Sequence, residues 1–191
     1  LVEVFDTIEL VGQATNLQAY ASQVRLHLEA RVAAVVERTK AIAESDKPRV
    51  AFLEWLAPLF NAGHWTPELI AMAGGIDCLG NLNTPSRSLK DEELPAARPD
   101  VIFVGLCGFD LQRSLQDLPL LSRIPQWHDL ACVQQQQLYC CDGNAFFSRP
   151  GPRLVESLEL MAHTLHPDIH PLPGHLQAAQ RFTAEGAACQ K

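Results

Sequence analysis

Residues 49–75 read RVAFLEWLAPLFNAGHWTPELIAMAGG, and they decide how the rest of the chain is interpreted. The short apolar run at 50–56 predicts a buried strand. Thr66 followed by Pro67 predicts the start of a helix with Thr66 as its N-cap, and Gly74 predicts its end. A strand, a loop and a helix in this order form half of a βαβ unit, and ligands of open α/β sheets bind beside the carboxyl ends of the strands. The aromatic loop between strand and helix is therefore the first candidate for a binding site.

Composition favours a folded protein without a nucleic-acid surface. The chain has 191 residues, of which 47% are hydrophobic, so it can bury the core of one domain or of one domain with an appendage. Its 15 Lys and Arg against 22 Asp and Glu give a formal charge of −7, which opposes binding to nucleic acid. No apolar run approaches the roughly 18 residues of a membrane span.

Strand and helix patterns alternate after residue 48. Strands are predicted at 50–54, 76–78, 101–104 and 137–141, and helices at 67–73, 89–97 (with Ser88 as its cap), 111–121 and 152–165. The continuous apolar run VIFV at 101–104 is typical of a strand covered on both faces. These patterns predict an α/β fold, a three-layer Rossmann-like lobe with a mostly parallel sheet.

A long helix is predicted before that lobe. Residues 1–15 have helical spacing, and Thr15 with Gln18 predicts a capping box that starts a second helix. Its apolar stripe continues to about residue 44, and roughly 28 residues at 1.5 Å each give about 42 Å. The predicted units are therefore 1–15, a long connecting helix at 16–45, the lobe at 48–168, and a tail at 169–191.

Neither the histidines nor the cysteines predict a metal site. The prolines of the tail separate the histidines at 163, 166, 170 and 175, so we interpret this region as a solvated tail with a possible helix at 176–184. None of the six cysteines forms a CxxC pair. Cys78 and Cys107 occupy strand-like or strand-end positions, where a thiol commonly packs as a small hydrophobic group.

The sequence contains no motif that predicts an enzyme. It has no nucleophile elbow, P-loop or GxGxxG fingerprint. Glu54 beside His64 is a weak signal for a general base, because no partner motif accompanies it. We therefore expect no catalysis and no intrinsic cofactor.

Three predicted strand ends carry aromatic or glycine-rich residues: Trp55, Phe60 and Trp65 after the first, residues 105–109 after the third, and Asn144, Phe146 and Phe147 after the fourth. Parallel strands would place all three loops at one edge of the sheet. An aromatic edge with few charges suits a large, planar, partly hydrophobic ligand or another domain. The alternative for each ring is that it caps the hydrophobic core.

Three segments carry a resemblance to a known family. They read EWLAPLFNAGHWTPELIAMAGG at 54–75, PSRSLKDEELPAARPDVIFVGLCGFDL at 85–111 and YCCDGNAFFSRPGPRLVESLELMAHTLHP at 139–167. In this order they resemble the C-terminal half of the helical-backbone (class III) periplasmic substrate-binding proteins of ABC importers, in the branch that binds cobalamin or iron chelates. In that family two α/β lobes are joined by one long helix, and the ligand lies between them. The resemblance implies that residues 1–15 are a remnant of an N-terminal lobe that is otherwise absent.

The resemblance also implies roles for individual residues. The ligand-binding positions would be Trp55, Phe60, His64, Trp65, Phe109, Phe146, Phe147 and Arg149. Glu92 would be the surface carboxylate that contacts the ABC permease, although an ordinary first-turn glutamate would look the same. The implied ligand is cobalamin or another metal chelate, with no protein-bound metal.

Two functions remain open at this point. The first is a substrate-binding protein, or its C-terminal half, that delivers a metal chelate to an ABC importer and is periplasmic or extracytoplasmic. The second is a derived, non-transport remnant that serves as a structural or interaction subunit inside a cell or organelle. Both predict an exposed apolar seam along the long helix, to be covered by the missing lobe or by a partner.

Overall fold

A computed structural model describes residues 1–80 and 83–189. The helices are α1 (Val2–Ala14), α2 (Gln18–Thr39), α3 (Thr66–Met72), α4 (Glu93–Ala97), α5 (Leu111–Asp117), α6 (Ala131–Gln134), α7 (Gly143–Phe146) and α8 (Leu154–Leu165). The strands are β1 (Arg49–Leu56), β2 (Leu59–Asn61), β3 (Ile76–Asp77), β4 (Arg87–Ser88), β5 (Val101–Val104), β6 (Leu138–Cys140) and β7 (Gln180–Arg181). Short 3₁₀ turns lie at Glu44–Asp46, Leu118–Arg123 and Trp127–Asp129.

One sheet organises these elements, with the strand order β4-β2-β1-β5-β6-β7 and with β3 also paired to β1. The central strands β1, β5 and β6 are parallel, and β3 is parallel to β1. The outer strands β2, β4 and β7 are antiparallel to their neighbours. The predicted α/β class with a parallel centre is confirmed. The outer strands were not predicted, because segments of two or three residues carry no readable periodicity.

The sheet has a hydrophobic core on each face, as expected of three layers. On one face Leu53, Ile102 and Leu138 pack under the 3₁₀ turns around Trp127. On the other face Val50, Phe52 and Phe103 pack against α3 and α8, together with Val35 of α2, as part of a larger cluster. Every residue of β5 is buried, which explains why VIFV reads as an uninterrupted apolar run.

Helix α2 is shorter than predicted. It has 22 residues, which at 1.5 Å each is about 33 Å, and it ends at Thr39 rather than near residue 44. The Thr39 hydroxyl contacts the carbonyl oxygens of Val35 and Met72, both at 3.0 Å, so α2 ends against the C-terminus of α3. The predicted capping box is also wrong, because the Thr15 hydroxyl donates backward to Val11 O at 2.8 Å and Leu17 is the N-cap.

Three other helix boundaries differ from the prediction. Helix α4 begins at Glu93 instead of Leu89, because the preceding residues form β4 and Leu89 N donates to Leu59 O at 2.8 Å. Helix α5 stops at Asp117, where the chain tightens into a 3₁₀ turn that contains Pro119. Helix α3 has Trp65 as its N-cap, without a side-chain cap bond, so Thr66 is its first residue.

The tail is not a solvated extension, nor is it helical at 176–184. Strand β7 pairs with β6, and Phe182 is fully buried in the core on the Trp127 face of the sheet. The indole nitrogen of Trp127 donates to Ala184 O at 2.8 Å. The prolines and histidines of the tail suggested a solvated segment, but one aromatic residue, Phe182, is buried and anchors it.

His170, also predicted to be solvated, is only 2% exposed. Its Nε2 lies 3.4 Å from the Thr39 hydroxyl, and among the described residues its Nδ1 has no hydrogen-bond partner. His163 Nδ1 donates to the His170 carbonyl at 2.8 Å, and His166 Nε2 donates to Gly74 O at 3.0 Å. These histidines therefore fasten the end of α8 and the tail to the ends of α2 and α3.

Helices α1 and α2 pack against each other and expose an apolar seam, as both predicted functions require. Leu10, Leu17, Tyr20 and Leu26 are each more than half exposed. A groove of about 380 Å³ runs between the two helices and is lined mainly by apolar side chains. Among the described residues, no helix is both long and apolar enough to cross a bilayer.

We predict that the tail contributes to stability. Phe182→Ala removes a fully buried ring and should lower the free energy of unfolding by about 3–5 kcal/mol. The matched control is Ile169→Ala, at a tail residue that is 39% exposed, which should lower it by less than about 1 kcal/mol. Urea denaturation followed by circular dichroism measures both. Equal effects of the two substitutions would contradict the packing of the tail.

We also predict that acid weakens the fold through His170. Burial, followed by the charges of His166, Arg38 and His163, lowers its pKa below the ordinary 6.5. The unfolded chain therefore binds a proton more readily, so the stabilisation is present above about pH 6.5 and is lost as pH falls through the lower folded pKa. The unfolding free energy should fall between about pH 7.5 and 5.5, by at most about 1.4 kcal/mol per pH unit for this one group. In His170→Gln the fall should be shallower, and an equally steep fall would contradict this role.

Candidate functional site

The parallel strands β1, β5 and β6 end at one edge of the sheet, and a pocket of about 160 Å³ lies there. Three loops surround it: one follows β1 and β2, one follows β5, and one follows β6. The lining residues are Phe52, Glu54, His64, Trp65, Thr66, Ser86, Gly105, Cys107, Phe147 and Ser148. Three aromatic side chains and a few polar groups in one concave site are typical of small-molecule binding.

Glu54 lies at a β-bulge and lines this pocket. Leu53 pairs with Asn61 and Trp55 pairs with Phe60, so β1 has one residue more than β2 over this stretch, namely Glu54. Phe52 and Glu54 both line the pocket, and the Glu54 carbonyl accepts a hydrogen bond of 3.0 Å from Cys107 N. Phe52 and Glu54 are two residues apart and therefore lie on the same face of β1. Bulges are common next to functional sites.

The loop after β2 presents His64 and Trp65 to the pocket. His64 is exposed and has a φ of 55°, an uncommon conformation for a residue with a Cβ, and its N–H donates to Thr84 O at 2.8 Å. Its ring lies 5.6 Å from the ring of Trp65. The indole nitrogen of Trp65 donates to Phe147 O at 2.9 Å, so this loop is tied directly to the loop after β6.

Phe147 closes the base of the pocket but belongs mainly to the core. It is 5% exposed and its ring lies 4.7 Å from that of Phe52 and 5.8 Å from that of Phe103. Most of this ring therefore caps the core, and only a small part of its surface remains accessible to a ligand. Trp65 is half-buried and offers more of its indole face.

The loops after β5 and β6 are fixed to each other around Gly143. The Ser148 hydroxyl accepts from Gly108 N at 3.0 Å and donates to Gly143 O at 2.7 Å, and the Asp142 carboxylate caps α7 by accepting from Ala145 N at 2.7 Å. A Cβ on Gly143 would lie 2.1 Å from Leu106 O, so the two loops approach too closely for any side chain there. The pocket is therefore rigidly preformed on this side.

The structure places the other predicted ligand residues outside this pocket. Trp55 and Phe109 contact each other, with ring centroids 5.2 Å apart, at neighbouring strand ends. Phe60 lies on β2, and Phe146 faces a different cavity beside His175. Arg149 is exposed and donates to the Asn144 amide oxygen at 3.2 Å.

A wider groove adjoins the pocket and shares His64 and Trp65 with it. Its volume is about 820 Å³, and it runs from these residues towards the first turn of α1 and Pro150. The pocket and the groove together offer room for a ligand much larger than the pocket alone holds. One end of such a ligand would rest on the aromatic walls and the other would lie near α1.

Three of the six cysteines are buried, two are partly buried, and Cys107 is exposed. Burial raises the pKa of Cys78 and Cys140 to about 12 and that of Cys132 to about 11, so these thiols stay protonated near neutral pH. Cys107 is exposed and lines the pocket, which corrects the prediction that it packs as a buried hydrophobic group. Across 1–80 and 83–189, no three His, Cys, Asp or Glu side chains are grouped to hold a metal ion.

Glu92, the predicted permease contact, is an exposed residue at the N-cap position of α4. The neighbouring residue Glu93 makes the contacts with nearby side chains and backbone. Its carboxylate accepts a hydrogen bond from Lys90 N at 2.8 Å and forms an ion pair with Arg87 at 2.9 Å. These contacts lower the pKa of Glu93. Glu92 is left facing solvent.

The chain resembles several known proteins. It is 23% identical over 171 residues to an uncharacterised ABC transporter substrate-binding lipoprotein, YvrC, of Bacillus subtilis, covering 87% of this chain and 51% of the relative. It superposes with a TM-score of 0.70 and 25% identity on the periplasmic heme-binding protein RhuT of a Roseiflexus species, covering 85% of this chain and 62% of RhuT. A periplasmic heme-binding protein of Pseudomonas aeruginosa superposes with a TM-score of 0.75 and 16% identity, over 94% of this chain and 65% of that protein.

These proteins are all longer than the chain, which spans about half the length of the curated relative. The similarity to the Pseudomonas protein, at 16% identity, shows the fold alone. A family profile described as "Periplasmic binding protein" matches residues 2–145, which include α1, α2 and the three strands that end at the pocket. The chain therefore belongs to the periplasmic binding protein family, in agreement with the resemblance seen in its sequence.

Proposed function

We propose that this chain is the ligand-binding lobe of a substrate-binding protein that delivers a metal chelate to an ABC importer. The observation that carries the proposal is the pocket at the carboxyl ends of β1, β5 and β6, where Trp65 and Phe147 lie beside a small set of polar groups. Two structural relatives support a chelate as the ligand: RhuT is named as a heme-binding protein, and a protein of Saccharomonospora viridis as an Fe³⁺-hydroxamate transport system.

Physical chemistry favours a large, partly planar ligand. Aromatic faces bind apolar or conjugated surfaces by stacking and burial, and Trp65 has the largest ring in the pocket. The adjoining groove of about 820 Å³ accommodates a macrocycle that the pocket alone does not. Within this class we propose cobalamin or a related corrinoid, with an iron chelate such as heme as the alternative cargo.

We propose binding without catalysis. Glu54 and His64 line the same pocket, yet no hydrogen bond or ion pair joins them among the described residues. A general base needs a partner within hydrogen-bond reach of the proton it moves, and this pair does not supply one. The metal of the cargo would be substrate and not a resident cofactor.

The proposed partner is the ABC permease, and the proposed location is extracytoplasmic. The relative from Bacillus subtilis is named as an ABC transporter lipoprotein, which supports both. Glu92 is exposed, and among the described residues its carboxylate has no partner, so it remains available to a basic residue of the permease.

The second candidate function is that of an interaction subunit. The observation that favours it is the apolar seam on α1 and α2, where Leu17 and Tyr20 are 55% and 66% exposed. Exposed apolar surface of this kind is typical of a protein contact. A monodisperse monomer at micromolar concentration, measured by light scattering, would count against self-association through this seam.

We predict that the chain binds cyanocobalamin through Trp65. In isothermal titration calorimetry, Trp65→Ala should weaken binding at least about tenfold, because it removes the main stacking surface and the bond to Phe147. Tyr20→Ala is the matched control, since Tyr20 is an exposed aromatic residue outside the pocket, and it should change the affinity less than twofold.

The same titration with Trp55→Ala and with hemin separates the alternatives. Trp55 does not line the pocket, so its loss should have a smaller effect than the loss of Trp65. Tighter binding of hemin than of cyanocobalamin would replace the corrinoid by an iron chelate as the cargo. If neither compound binds at about 100 µM, the transport function is refuted and the interaction function gains support.

A further inference from the structure

Glu54 differs in charge from the other side chains that line the pocket. It is the bulged residue of β1, it is half-buried, and it is the one acidic residue among the described residues that line the pocket. Its neighbours in the lining are aromatic rings, hydroxyl groups, a thiol and His64. Alternation with Phe52 along β1 places a carboxylate in a site whose other walls include three aromatic side chains.

The carboxylate of Glu54 has no partner within the protein. Over residues 1–80 and 83–189, no side chain or backbone N–H donates a hydrogen bond to it, and it forms no ion pair. Three arginines in the segments that follow β2, β5 and β6 have other partners. Arg87 pairs with Glu93 at 2.9 Å, Arg113 pairs with Asp117 at 2.8 Å, and Arg149 donates to Asn144 at 3.2 Å.

An unpaired carboxylate that is partly removed from water is unfavourable until a ligand supplies a donor. When a ligand covers the pocket, it displaces the water that remains around the carboxylate. The free-energy cost of leaving the carboxylate without a hydrogen-bond donor then increases. A ligand edge with N–H or O–H donors would satisfy the carboxylate oxygens. A ligand edge with carboxylates would place like charges together in a site where, among the described lining residues, no arginine or lysine offsets them.

We infer that Glu54 is a specificity-determining residue that selects chelates with hydrogen-bond donors, such as carboxamides, at their edge and rejects chelates with carboxylates there. This inference rests on the proposed function, because it concerns the same pocket. It names the chemical class of the cargo: a macrocycle decorated with amides rather than with acids. The aromatic walls bind the macrocycle whichever groups it carries, and Glu54 discriminates between amide and carboxylate groups at the edge of the ligand.

The test compares two probes with the same ring. Dicyanocobinamide carries carboxamide side chains on its corrin, and dicyanocobyrinic acid carries carboxylates at these positions. Calorimetric titration of the chain at neutral pH should show at least about tenfold tighter binding of the amide compound. In Glu54→Gln, which is nearly isosteric and uncharged, the preference should fall to within about threefold, chiefly through tighter binding of the acid.

Two further variants separate charge from position. Glu54→Asp keeps the negative charge and should retain the preference for the amide compound. Asp129→Asn removes one negative charge at an exposed residue outside the pocket and should leave the preference at its original size, which controls for the net charge of the protein. Urea denaturation of Glu54→Gln establishes that the substitution leaves the fold intact.

Each outcome has a definite meaning. A preference that persists in Glu54→Gln, or that disappears equally in Asp129→Asn, overturns the role of Glu54. Equal binding of both probes to the original chain also overturns it, while chelate binding and the proposed function stand. Binding of neither probe at about 100 µM excludes corrinoids as the cargo and overturns the inference, and the proposed function is refuted as well if hemin also fails to bind.

Discussion

The backbone hydrogen bonds that align β1, β5 and β6 in parallel are the constraint on which the structure depends. They bring three carboxyl ends to one edge, and each strand delivers its following loop to the same place. The loops are then joined by few but specific contacts: the Trp65 indole on Phe147 O, and the Ser148 hydroxyl between Gly108 and Gly143. The parallel direction of the strands determines where the pocket forms. The side chains that line it determine which ligand it binds.

The hydrophobic patterns were sufficient to predict the centre of the fold. The run at 101–104 coincides with β5, and the predicted helices at 67–73 and 152–165 lie within two residues of α3 and α8 at each end. The hydrophobic pattern of these segments is clear because both faces of the sheet are buried and each helix packs one apolar side against the sheet. Strands β2, β4 and β7 were missed because their pairing depends on neighbours distant in the chain, which no local pattern records.

The sequence was less informative about the site. Aromatic residues after the strands indicated the correct edge, yet the β-bulge at Glu54 depends on the register between β1 and β2, which the sequence does not show. Without that register, Trp55 and Phe60 looked equivalent to Trp65, and Glu54 looked like an isolated carboxylate. Likewise, the burial of His170 and Phe182 follows from the packing of the tail on α2 and on the sheet. Prolines surround His170 in the sequence, and Phe182 is a single aromatic residue in a polar and alanine-rich segment, so neither local pattern predicts burial.

The central claim is that a chelate binds at the shared end of β1, β5 and β6. Amide hydrogen exchange, measured by mass spectrometry with and without dicyanocobinamide, tests this claim most directly. The account predicts slower exchange in the three loops at 62–66, 105–109 and 143–148, with any further slowing limited to the first turn of α1, and little change in α2. Protection confined to α1 and α2, or no protection under saturating ligand, would contradict it.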